Sequence, residues 1–368
     1  MFSQTKEIFK KNILVTGGAG FIGSHLCEEL LRLENVNIIC LDNFLTGLEL
    51  NIDHLLQFPN FEFIKHDIIE PINLELFLNL KKFKIKLGGI QEIYHLACPA
   101  SPKEYHNHSI ETLLVNSLGV KNILDLAIKY KAKLLHCSDA AIYGSSPSDF
   151  THHFKEEEKG HVNPVGLQSC YNEGKRFSEA MVANYRRKFC FMPNEEKIKI
   201  SPEIFEQITQ KENLQEIIPW AKIVRIFNTY GPRMKLDDGR IIPDLIKQAI
   251  SNEPMMIIQR KEEVTSFCYI EDIITGLIKI MDSKIEGPIN LGDPNIWTIE
   301  EIAELIIKIS GSSSKIIYKE RPDYMSRIGI PNIDKAKKLL EWFPVISLTD
   351  GLIKTIEIMR ASRILKPF

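Results

Sequence analysis

The sequence lacks the features that mark membrane-spanning, disulfide-bonded and nucleic-acid-binding proteins. No window approaches about 18 uninterrupted apolar residues, so no transmembrane helix is predicted. The seven cysteines are an odd number without a Cys-x-x-Cys pair, which favours reduced thiols and predicts a cytoplasmic protein. A formal net charge of −2 provides no global attraction to nucleic acid or to an anionic membrane, so neither is predicted as a partner.

The histidine pairs and the charged run of the sequence do not predict a metal site or another functional site. His106 with His108, and His152 with His153, do not follow the spacing of metal ligands, so no metal is predicted. The run Lys155-Glu-Glu-Glu-Lys159 predicts a solvated loop. With 368 residues and 44% hydrophobic composition, the chain is long enough for one large α/β domain and a smaller lobe.

The sequence does contain a glycine-rich stretch, Thr16-Gly-Gly-Ala-Gly-Phe-Ile-Gly-Ser-His25, directly after a short apolar run. Gly17, Gly20 and Gly23 have the spacing of a dinucleotide-binding turn between a buried parallel strand and a helix. The first permits the tight turn, the second lets the backbone approach a pyrophosphate, and the third lets the helix pack on the strand. The N–H groups at the start of the helix are then expected to face the phosphates.

An acidic residue follows the glycine-rich stretch at the sequence spacing that is typical of a contact with the ribose. A second apolar run, Val36 to Leu41, ends at Asp42, nineteen residues beyond Gly23, where a carboxylate bonds the adenosine ribose hydroxyls. Because this carboxylate would repel a 2′-phosphate, NAD is predicted in preference to NADP. Phe61 to Ile64 predicts a third strand, and Asp67 after it either reaches the adenine or is a solvated loop carboxylate.

Two further strands and two helices complete the predicted sheet domain. Gln91 to Ala97 predicts the fourth strand, and the proline-rich loop after it lies where open α/β sheets bind ligands. Ile110 to Tyr130 has apolar residues at three- and four-residue spacing and predicts one long helix. Lys133 to Ser138 predicts the fifth strand, and Ser169 to Phe189 predicts a second amphipathic helix.

Tyr171 and Lys175 lie four residues apart on that second helix, so their side chains project from one face. A phenol with a reference pKa of about 10 is a weak base at neutral pH, but a neighbouring ammonium group and a cationic nicotinamide ring favour the phenolate. We therefore predict that Tyr171 deprotonates a substrate alcohol. Lys175 is expected to support it and to hold the nicotinamide ribose.

With these motifs in this order, the sequence resembles the extended short-chain dehydrogenase/reductase family and, within it, the UDP-glucuronate decarboxylases. The strings that carry the resemblance are the glycine-rich stretch, Leu96-Ala-Cys-Pro-Ala-Ser-Pro102, Gly160-His-Val-Asn-Pro164, Cys170-Tyr-Asn-Glu-Gly-Lys-Arg176 and Arg225-Ile-Phe-Asn-Thr-Tyr-Gly-Pro-Arg-Met234. The likeness covers nearly the whole chain apart from residues 190–220, which are predicted to be a surface insertion. It implies a doubly wound parallel sheet of the α/β (Rossmann) class with a smaller, discontinuous C-terminal substrate-binding lobe.

The expected domain boundaries follow from this assignment. Residues 1–189, about 221–233 and 264–293 are assigned to the NAD-binding domain, and residues 234–263 and 294–368 to the nucleotide-sugar-binding lobe. In the lobe, Thr298 and Glu301 have the pattern of a capping box that begins a helix ending near Ser310. Two further helices are predicted near Asp334 to Trp342 and Leu348 to Arg363.

The resemblance also implies a reaction and the residues that perform it. C4 of the sugar is oxidised with NAD, carbon dioxide leaves because the new ketone is β to the C5 carboxylate, and the ketone is reduced again, which converts UDP-glucuronate to UDP-xylose. The residues expected to bind the cofactor are Gly17, Gly20, Phe21, Ile22, Gly23, Asp42, Asn43, Asp67, Ile68, Leu96, Ala97, Tyr171 and Lys175. Those expected to bind a nucleotide sugar, with a UDP-sugar favoured, are Pro99, Tyr105, Asn228, Arg233, Arg240, Arg260 and Arg327. For Tyr105, packing in the core is an equal alternative.

The chain departs from the family pattern at the end of the fifth strand. Relatives usually read Ser-Thr-Ser-Glu-x-Tyr-Gly, whereas this chain reads Ser138-Asp-Ala-Ala-Ile-Tyr-Gly144. Asp139 therefore stands where a hydroxyl is expected beside Tyr171, and it is the third catalytic candidate. Ala140 and Ala141 stand where relatives have a Ser-Glu pair. Loss of an acid or base group typically reduces a reaction rate by about 10²- to 10⁴-fold. Two alternatives thus stay open: a C4 dehydrogenase, epimerase or dehydratase-like enzyme for another nucleotide sugar, or a catalytically impaired NAD-binding homologue.

A second departure concerns the diphosphate. Thr265 stands where relatives usually have an arginine that grips it, and Arg260 is near enough in sequence to replace that group. Arg327 is a candidate for the later arginine that relatives use on the sugar. Family members commonly dimerise through the helices that correspond to residues 110–130 and 169–189, so a homodimer is predicted.

Overall fold

The computed structural model describes residues 10–144, 151–189, 220–236, 239–258, 263–285, 287–319 and 329–365. Its strands are β1 Lys11–Thr16, β2 Val36–Asp42, β3 Phe61–Lys65, β4 Glu92–His95, β5 Lys133–Asp139, β6 His153–Phe154, β7 Ala221–Ile226, β8 Thr229–Tyr230, β9 Met255–Ile258, β10 Val264–Thr265, β11 Cys268–Tyr269, β12 Ile289–Leu291, β13 Trp297–Thr298, β14 Ile316–Lys319 and β15 Ile330–Pro331. Its α-helices are α1 Phe21–Leu31, α2 Ile85–Gly88, α3 Pro102–Asn107, α4 Ser109–Leu114, α5 Val120–Tyr130, α6 Ser169–Phe189, α7 Ile241–Ile250, α8 Ile270–Asp282, α9 Ile299–Ser310, α10 Asp334–Leu340 and α11 Leu348–Leu365. The predicted insertion, apart from Trp220, lies outside the described residues, as do Arg260 and Arg327.

Seven strands form one parallel sheet in the order β12-β7-β5-β4-β1-β2-β3. The chain winds outward from β1 to β3 and then crosses to the other side of β1 for β4, β5, β7 and β12. The strand order therefore reverses between β1 and β4, where Thr16 pairs with His95. Such sheets bind ligands outside the carboxyl ends of their strands at this switch point. The doubly wound parallel sheet predicted from the sequence is confirmed.

Helices cover both faces of the sheet, and successive side chains of β1 pack in the cores on the two faces. Ile13 and Val15 are fully buried in one core cluster with Leu26 of α1. Leu14, between them, is fully buried in a second cluster with Leu124 of α5. Because side chains alternate across a strand, a continuous aliphatic run is what a strand with helices on both sides requires.

The single helix predicted over residues 110–130 is interrupted. The structure has α4, then a π turn at Val115–Gly119 that inserts an extra residue, then α5. Within that turn the Asn116 Nδ2 donates to the Thr112 carbonyl oxygen at 2.8 Å and to the Cys98 Sγ at 3.1 Å. The prediction of one uninterrupted helix was wrong, and the interruption directs a polar side chain at the loop after β4.

The elements after β7 pack against the α1 side of the sheet and against one another. β9 and β14 form a parallel pair, and α9 packs on α7 and α11. At the start of α9 the Thr298 Oγ1 accepts from the Glu301 N–H at 3.1 Å, and the Glu301 Oε2 accepts from the Thr298 N–H at 2.8 Å. The predicted capping box and the helix that ends at Ser310 are therefore confirmed.

The charged run at residues 155–159 is only partly a solvated loop. Glu156 is 7% exposed, and its Oε1 accepts a hydrogen bond from the Asn290 N–H at 2.9 Å. The prediction was wrong for Glu156 because its partner lies on β12, 134 residues further along the chain. Lys155, Glu157 and Lys159 are exposed as expected.

Two kinds of feature are absent from the described ranges. In those ranges, no helix is both long enough and apolar enough to cross a lipid bilayer. In the same ranges, no three His, Cys, Asp or Glu side chains are arranged to hold a metal ion.

Candidate active site

The glycine turn between β1 and α1 leaves no room for side chains at two of its positions. Gly17 has φ +71°, and a Cβ there would lie 2.7 Å from the Ala97 backbone nitrogen. A Cβ on Gly23 would lie 2.1 Å from the Gly17 carbonyl oxygen, so α1 packs directly on the turn. Gly20 is the N-cap of α1, and the first turn of that helix contains no acidic residue. The positive end of α1 is therefore suited to an anion such as a phosphate.

Asp42 ends β2 beside this turn. Its Oδ2 accepts from the Ala19 N–H at 3.0 Å, and its Oδ1 accepts from the Phe44 N–H at 2.8 Å. Burial raises the pKa of Asp42, and the backbone N–H donors partly offset that rise. In the neighbouring loop the Asn43 Nδ2 donates to the Asp67 Oδ2 at 2.9 Å, which joins the ends of β2 and β3.

One cleft connects these groups with the predicted catalytic residues. It encloses about 1370 Å³, part of it open to solvent, and follows the carboxyl ends of β1 to β5. All the residues predicted to bind the cofactor lie on its wall. So do the predicted catalytic residue Asp139 and the predicted substrate residues Pro99, Arg233 and Arg240.

Two predicted substrate residues do not lie on that wall. Tyr105 is 6% exposed, and its ring stacks on the Tyr171 ring with 4.9 Å between centroids and 13° between planes. The Asn228 Nδ2 donates to the Thr265 Oγ1 at 3.1 Å and to the Ser266 carbonyl oxygen at 3.2 Å. Contact of these two residues with a substrate stays a prediction.

Tyr171, Lys175 and Asp139 meet where α6 passes the end of β5. The Lys175 Nζ donates to the Cys137 carbonyl oxygen at 3.0 Å and lies 5.9 Å from the centroid of the Tyr171 ring. The Asp139 Oδ1 accepts from the Ala141 N–H at 2.7 Å, and its carboxylate lies on the same cleft wall as Tyr171. The structure thus brings the three predicted catalytic side chains together.

Burial dominates the electrostatics of this group. Burial and the negative charge of Asp139 raise the pKa of Tyr171 well above its ordinary value. Burial also raises the pKa of Asp139, while the Ala141 N–H and the charge of Lys175 lower it. The sequence predicted that Lys175 together with a cationic nicotinamide ring favours the phenolate, and this stays a prediction for the protein with bound NAD.

The two described arginines of the cleft lie on the α1 side of it. The Arg233 Nη2 is paired with the Glu28 carboxylate of α1 and lies 3.2 Å from the His54 Nε2. The Arg240 guanidinium carbon is 5.7 Å from the centroid of the Phe21 ring, in the first turn of α1. Both arginines therefore place positive charge near the glycine turn, where phosphates are expected.

Cys98, Ser101, Glu104 and Lys235 are among the cleft residues that the sequence reasoning missed. Cys98 contacts Asn116 as described above, and the Glu104 Oε1 pairs with the Lys235 Nζ at 2.5 Å. Ser101 is 5% exposed and occupies the N-cap position of α3, yet its Oγ neither caps that helix nor has another hydrogen-bond partner among the described residues. For Cys98, Ser101 and Glu104, the available sequence signal was their position in, or just after, the loop that follows the fourth strand.

Family models of known proteins match most of the chain. The model described as GDP-mannose 4,6 dehydratase matches residues 14–194. The model described as the NAD dependent epimerase/dehydratase family matches residues 204–292. Together they extend over the glycine turn, α6 and the strands of the second half of the sheet.

Individual relatives are similar over nearly the whole length. UDP-glucuronic acid decarboxylase 1 from Xenopus tropicalis is 36% identical over 95% of this chain and 72% of the relative. UDP-glucuronic acid decarboxylase 6 from Arabidopsis thaliana is 36% identical over 95% of this chain and 89% of the relative. A crystal structure of UDP-glucuronic acid 4-epimerase from Bacillus cereus with UDP-glucuronic acid and NAD superposes with a TM-score of 0.73 at 26% identity, over 95% of this chain and 99% of that one. The chain therefore belongs to the UDP-glucuronic acid decarboxylase family, among the NAD-dependent epimerases and dehydratases.

Proposed function

We propose that this protein uses NAD to convert UDP-glucuronate to UDP-xylose and carbon dioxide. The observation that carries the proposal is a single cleft with the glycine turn and Asp42 at one end and Tyr171 with Lys175 at the other. Relatives named as UDP-glucuronic acid decarboxylases, 36% identical over 95% of the chain, support this choice of reaction.

The residues of the cleft fit NAD. The side-chain-free turn at Gly17 and Gly23 and the positive end of α1 suit a pyrophosphate, and Asp42 suits the hydroxyls of the adenosine ribose. Bound NAD would supply the hydride acceptor for oxidation at C4 of the sugar and the hydride donor for the final reduction. Arg233 and Arg240 supply positive charge for the phosphates on the same side of the cleft.

The residues of α6 handle the proton of the sugar C4 hydroxyl. Tyr171 accepts that proton as C4 is oxidised and gives it back as the ketone is reduced. The Lys175 Nζ donates to the Cys137 carbonyl oxygen at 3.0 Å, which keeps its positive charge beside the Tyr171 ring, and it would hold the nicotinamide ribose of bound NAD. Because the C4 ketone is β to the carboxylate on C5, carbon dioxide leaves with the bonding electrons delocalised into the ketone as an enolate. C5 of this enolate then takes up one proton before C4 is reduced.

Epimerisation at C4 is a second candidate, favoured by the wall of the cleft around Tyr171. Ala141 packs in an apolar cluster with Tyr105, Cys170 and Tyr171, at the position where relatives carry a glutamate. An epimerase needs oxidation and reduction at C4 but no proton donor for C5. The Bacillus cereus neighbour is described as such an epimerase.

The products of UDP-glucuronate distinguish the two reactions. The parent, the double variant Ala140→Ser/Ala141→Glu and the control Tyr171→Phe are each incubated with NAD and UDP-glucuronate, and the products are resolved by chromatography and mass spectrometry. A UDP-pentose that disappears in Tyr171→Phe supports the decarboxylase. A UDP-hexuronate of unchanged mass but altered retention supports the epimerase, and the absence of both products from folded, NAD-binding protein overturns both proposals.

We infer that the protein forms a homodimer through α4, α5 and α6. α6 packs on both α4 and α5. Ile110 and Leu113 of α4, Leu118 of the π turn and Phe177 of α6 have exposed fractions of 63%, 41%, 50% and 51%. A group of large apolar side chains on one surface typically marks an interface. A second copy of the chain would supply a matching apolar surface under twofold symmetry.

We also infer a cytoplasmic location. The six cysteines in the described ranges are free thiols, and five of them are buried. Free thiols of this kind are typical of proteins kept in a reducing compartment.

A further inference from the structure

Residues 231–236, between β8 and α7, form a short strap along the wall of the cleft. The first part of the strap is bound to α1. The Pro232 carbonyl oxygen lies 3.0 Å from the His25 Nε2, and the Arg233 Nη2 is paired with the Glu28 carboxylate. Since α1 begins at the glycine turn, the strap starts on the side of the cleft that is expected to hold the phosphates of NAD.

The second part of the strap is bound to α3. The Lys235 Nζ donates to the Glu104 Oε1 of that helix at 2.5 Å. A little further along the chain, a Cβ on Gly239 would lie 3.5 Å from the Pro102 Cβ at the start of α3. Because α1 follows β1 and α3 follows β4, and the strand order reverses between β1 and β4, the strap crosses the crevice at the switch point of the sheet.

The two parts of the strap are held in different ways. Arg233 has φ +66°, in the left-handed region that residues other than glycine rarely adopt. Backbone strain of this kind persists where the surrounding contacts hold it, often at ligand clamps. The next residue, Met234, is buried in the core cluster on the α1 side of the sheet. The Lys235 side chain is 43% exposed, so we assign the fixed end of the strap to α1 and the end that opens to α3.

We propose that the strap covers the cofactor end of the cleft and that the ion pair between Glu104 and Lys235 is its latch, so that NAD enters and leaves when this pair opens. The proposal rests on the NAD site of the proposed function, but it does not depend on which reaction follows. Each turnover returns the hydride that it removed, so the cofactor does not have to exchange between turnovers. A strap that stays closed through the reaction is compatible with that chemistry.

A direct effect of the two charges on the cofactor would have a different signature. If Glu104 acted only through its negative charge, Glu104→Gln would remove repulsion from the phosphates and would slow the release of NAD. If Glu104 holds the latch, the same isosteric change frees Lys235 and accelerates both release and binding. The sign of the change in Glu104→Gln therefore distinguishes the two roles.

The experiment measures how fast the reduced cofactor, NADH, binds and is released, by its fluorescence after rapid mixing and without any sugar. We expect Glu104→Gln and Lys235→Gln each to raise both rates by about fivefold, the factor that corresponds to the loss of a partly exposed ion pair. Because both substitutions break the same pair, the double variant should be no faster than either single variant. Lys354→Gln, which breaks the exposed pair of Lys354 with Glu271 elsewhere on the protein, is the matched control and should behave as the parent.

Parallel increases that are not additive would support the latch. Unchanged or slower release in either single variant, or additive effects in the double variant, would overturn it. Since Lys235 is the more exposed partner, Lys235→Gln keeps the test available if Glu104→Gln does not fold. A parent protein that does not bind NADH would overturn the NAD site and the latch together. Failure of the proposed reaction is detected separately, from the products of UDP-glucuronate, and leaves these rates measurable.

Discussion

Glu179 of α6 and Arg225 of β7 form a two-point ion pair, with 2.9 Å from Nε to Oε1 and 2.8 Å from Nη2 to Oε2. The Ser138 Oγ donates to the same Oε1 at 2.6 Å, and the Arg225 Nη1 donates to the Tyr143 hydroxyl at 2.8 Å. The two charged side chains are only 12% and 9% exposed. Since α6 also carries the proposed base, this pair fixes that helix against the ends of β5 and β7.

Glu179→Gln should lower the free energy of unfolding by about 3–5 kcal/mol, because it leaves the Arg225 charge buried without a counter-charge. Glu173→Gln is the matched control on the same helix, since Glu173 is 35% exposed and lies 3.4 Å from Arg176. An exposed pair of this kind contributes less than about 1 kcal/mol. Urea denaturation of the two variants measures the contrast, and equal losses would contradict the assigned role of the buried pair.

Lys222 of β7 closes the carboxyl end of α8. Its Nζ donates to the carbonyl oxygens of Ile280 at 2.8 Å, of Met281 at 2.7 Å and of Ser283. Lys222→Met should lower the free energy of unfolding at neutral pH by about 2–3 kcal/mol, because these carbonyl oxygens lose a charged donor. A thermal or denaturant midpoint identical to that of the parent would contradict this prediction.

The same lysine predicts a dependence of stability on pH. Burial and the charge of Lys133 lower the pKa of Lys222 to about 8, below the value of about 10.4 expected in the unfolded chain. Between these values the unfolded chain binds more protons, so this group stabilises the fold increasingly as the pH rises. The stability difference between the parent and Lys222→Met should therefore be constant below pH 8 and widen above it. Denaturant titrations across this window measure it, and a difference that narrows would count against the lowered pKa.

Asp42 should decide between NAD and NADP. Asp42→Asn removes the negative charge beside the adenosine ribose site and should raise the ratio of NADP affinity to NAD affinity by about tenfold, equivalent to about 1.4 kcal/mol. Calorimetric titration with each cofactor measures the ratio. Asp53→Asn, which removes an exposed carboxylate from the turn after β2, is the control and should leave the ratio unchanged. An unchanged ratio in Asp42→Asn would mean that another group selects the cofactor.

The homodimer predicts a mass of twice 42.2 kDa by light scattering coupled to size-exclusion chromatography. Phe177→Glu should produce a monomer, because it places a charge within the exposed apolar surface of α4 to α6. Leu87→Glu changes a leucine that is 80% exposed on another surface and should leave the dimer intact. A parent protein of single-chain mass would rule out the proposed assembly.

Features that depend on neighbouring residues could be predicted without coordinates. The glycine turn, Asp42 at the end of β2, the Tyr171 and Lys175 pair and the capping box at Thr298 all arise from backbone requirements or from periodicities of two and 3.6 residues. These constraints act within a few positions along the chain. The sheet topology followed because strands that alternate with helices pair in parallel, with right-handed crossings.

Features that depend on distant residues required the folded chain. Glu104 meets Lys235 across 131 positions, and Glu156 meets Asn290 across 134. Burial and the charge of Asp139, which belongs to another element, raise the pKa of Tyr171, and neither effect could be read from the helix motif alone. Local sequence therefore specifies which side chains enter the cleft. Long-range packing sets their solvation and partners, and through these the groups that hold and accept protons.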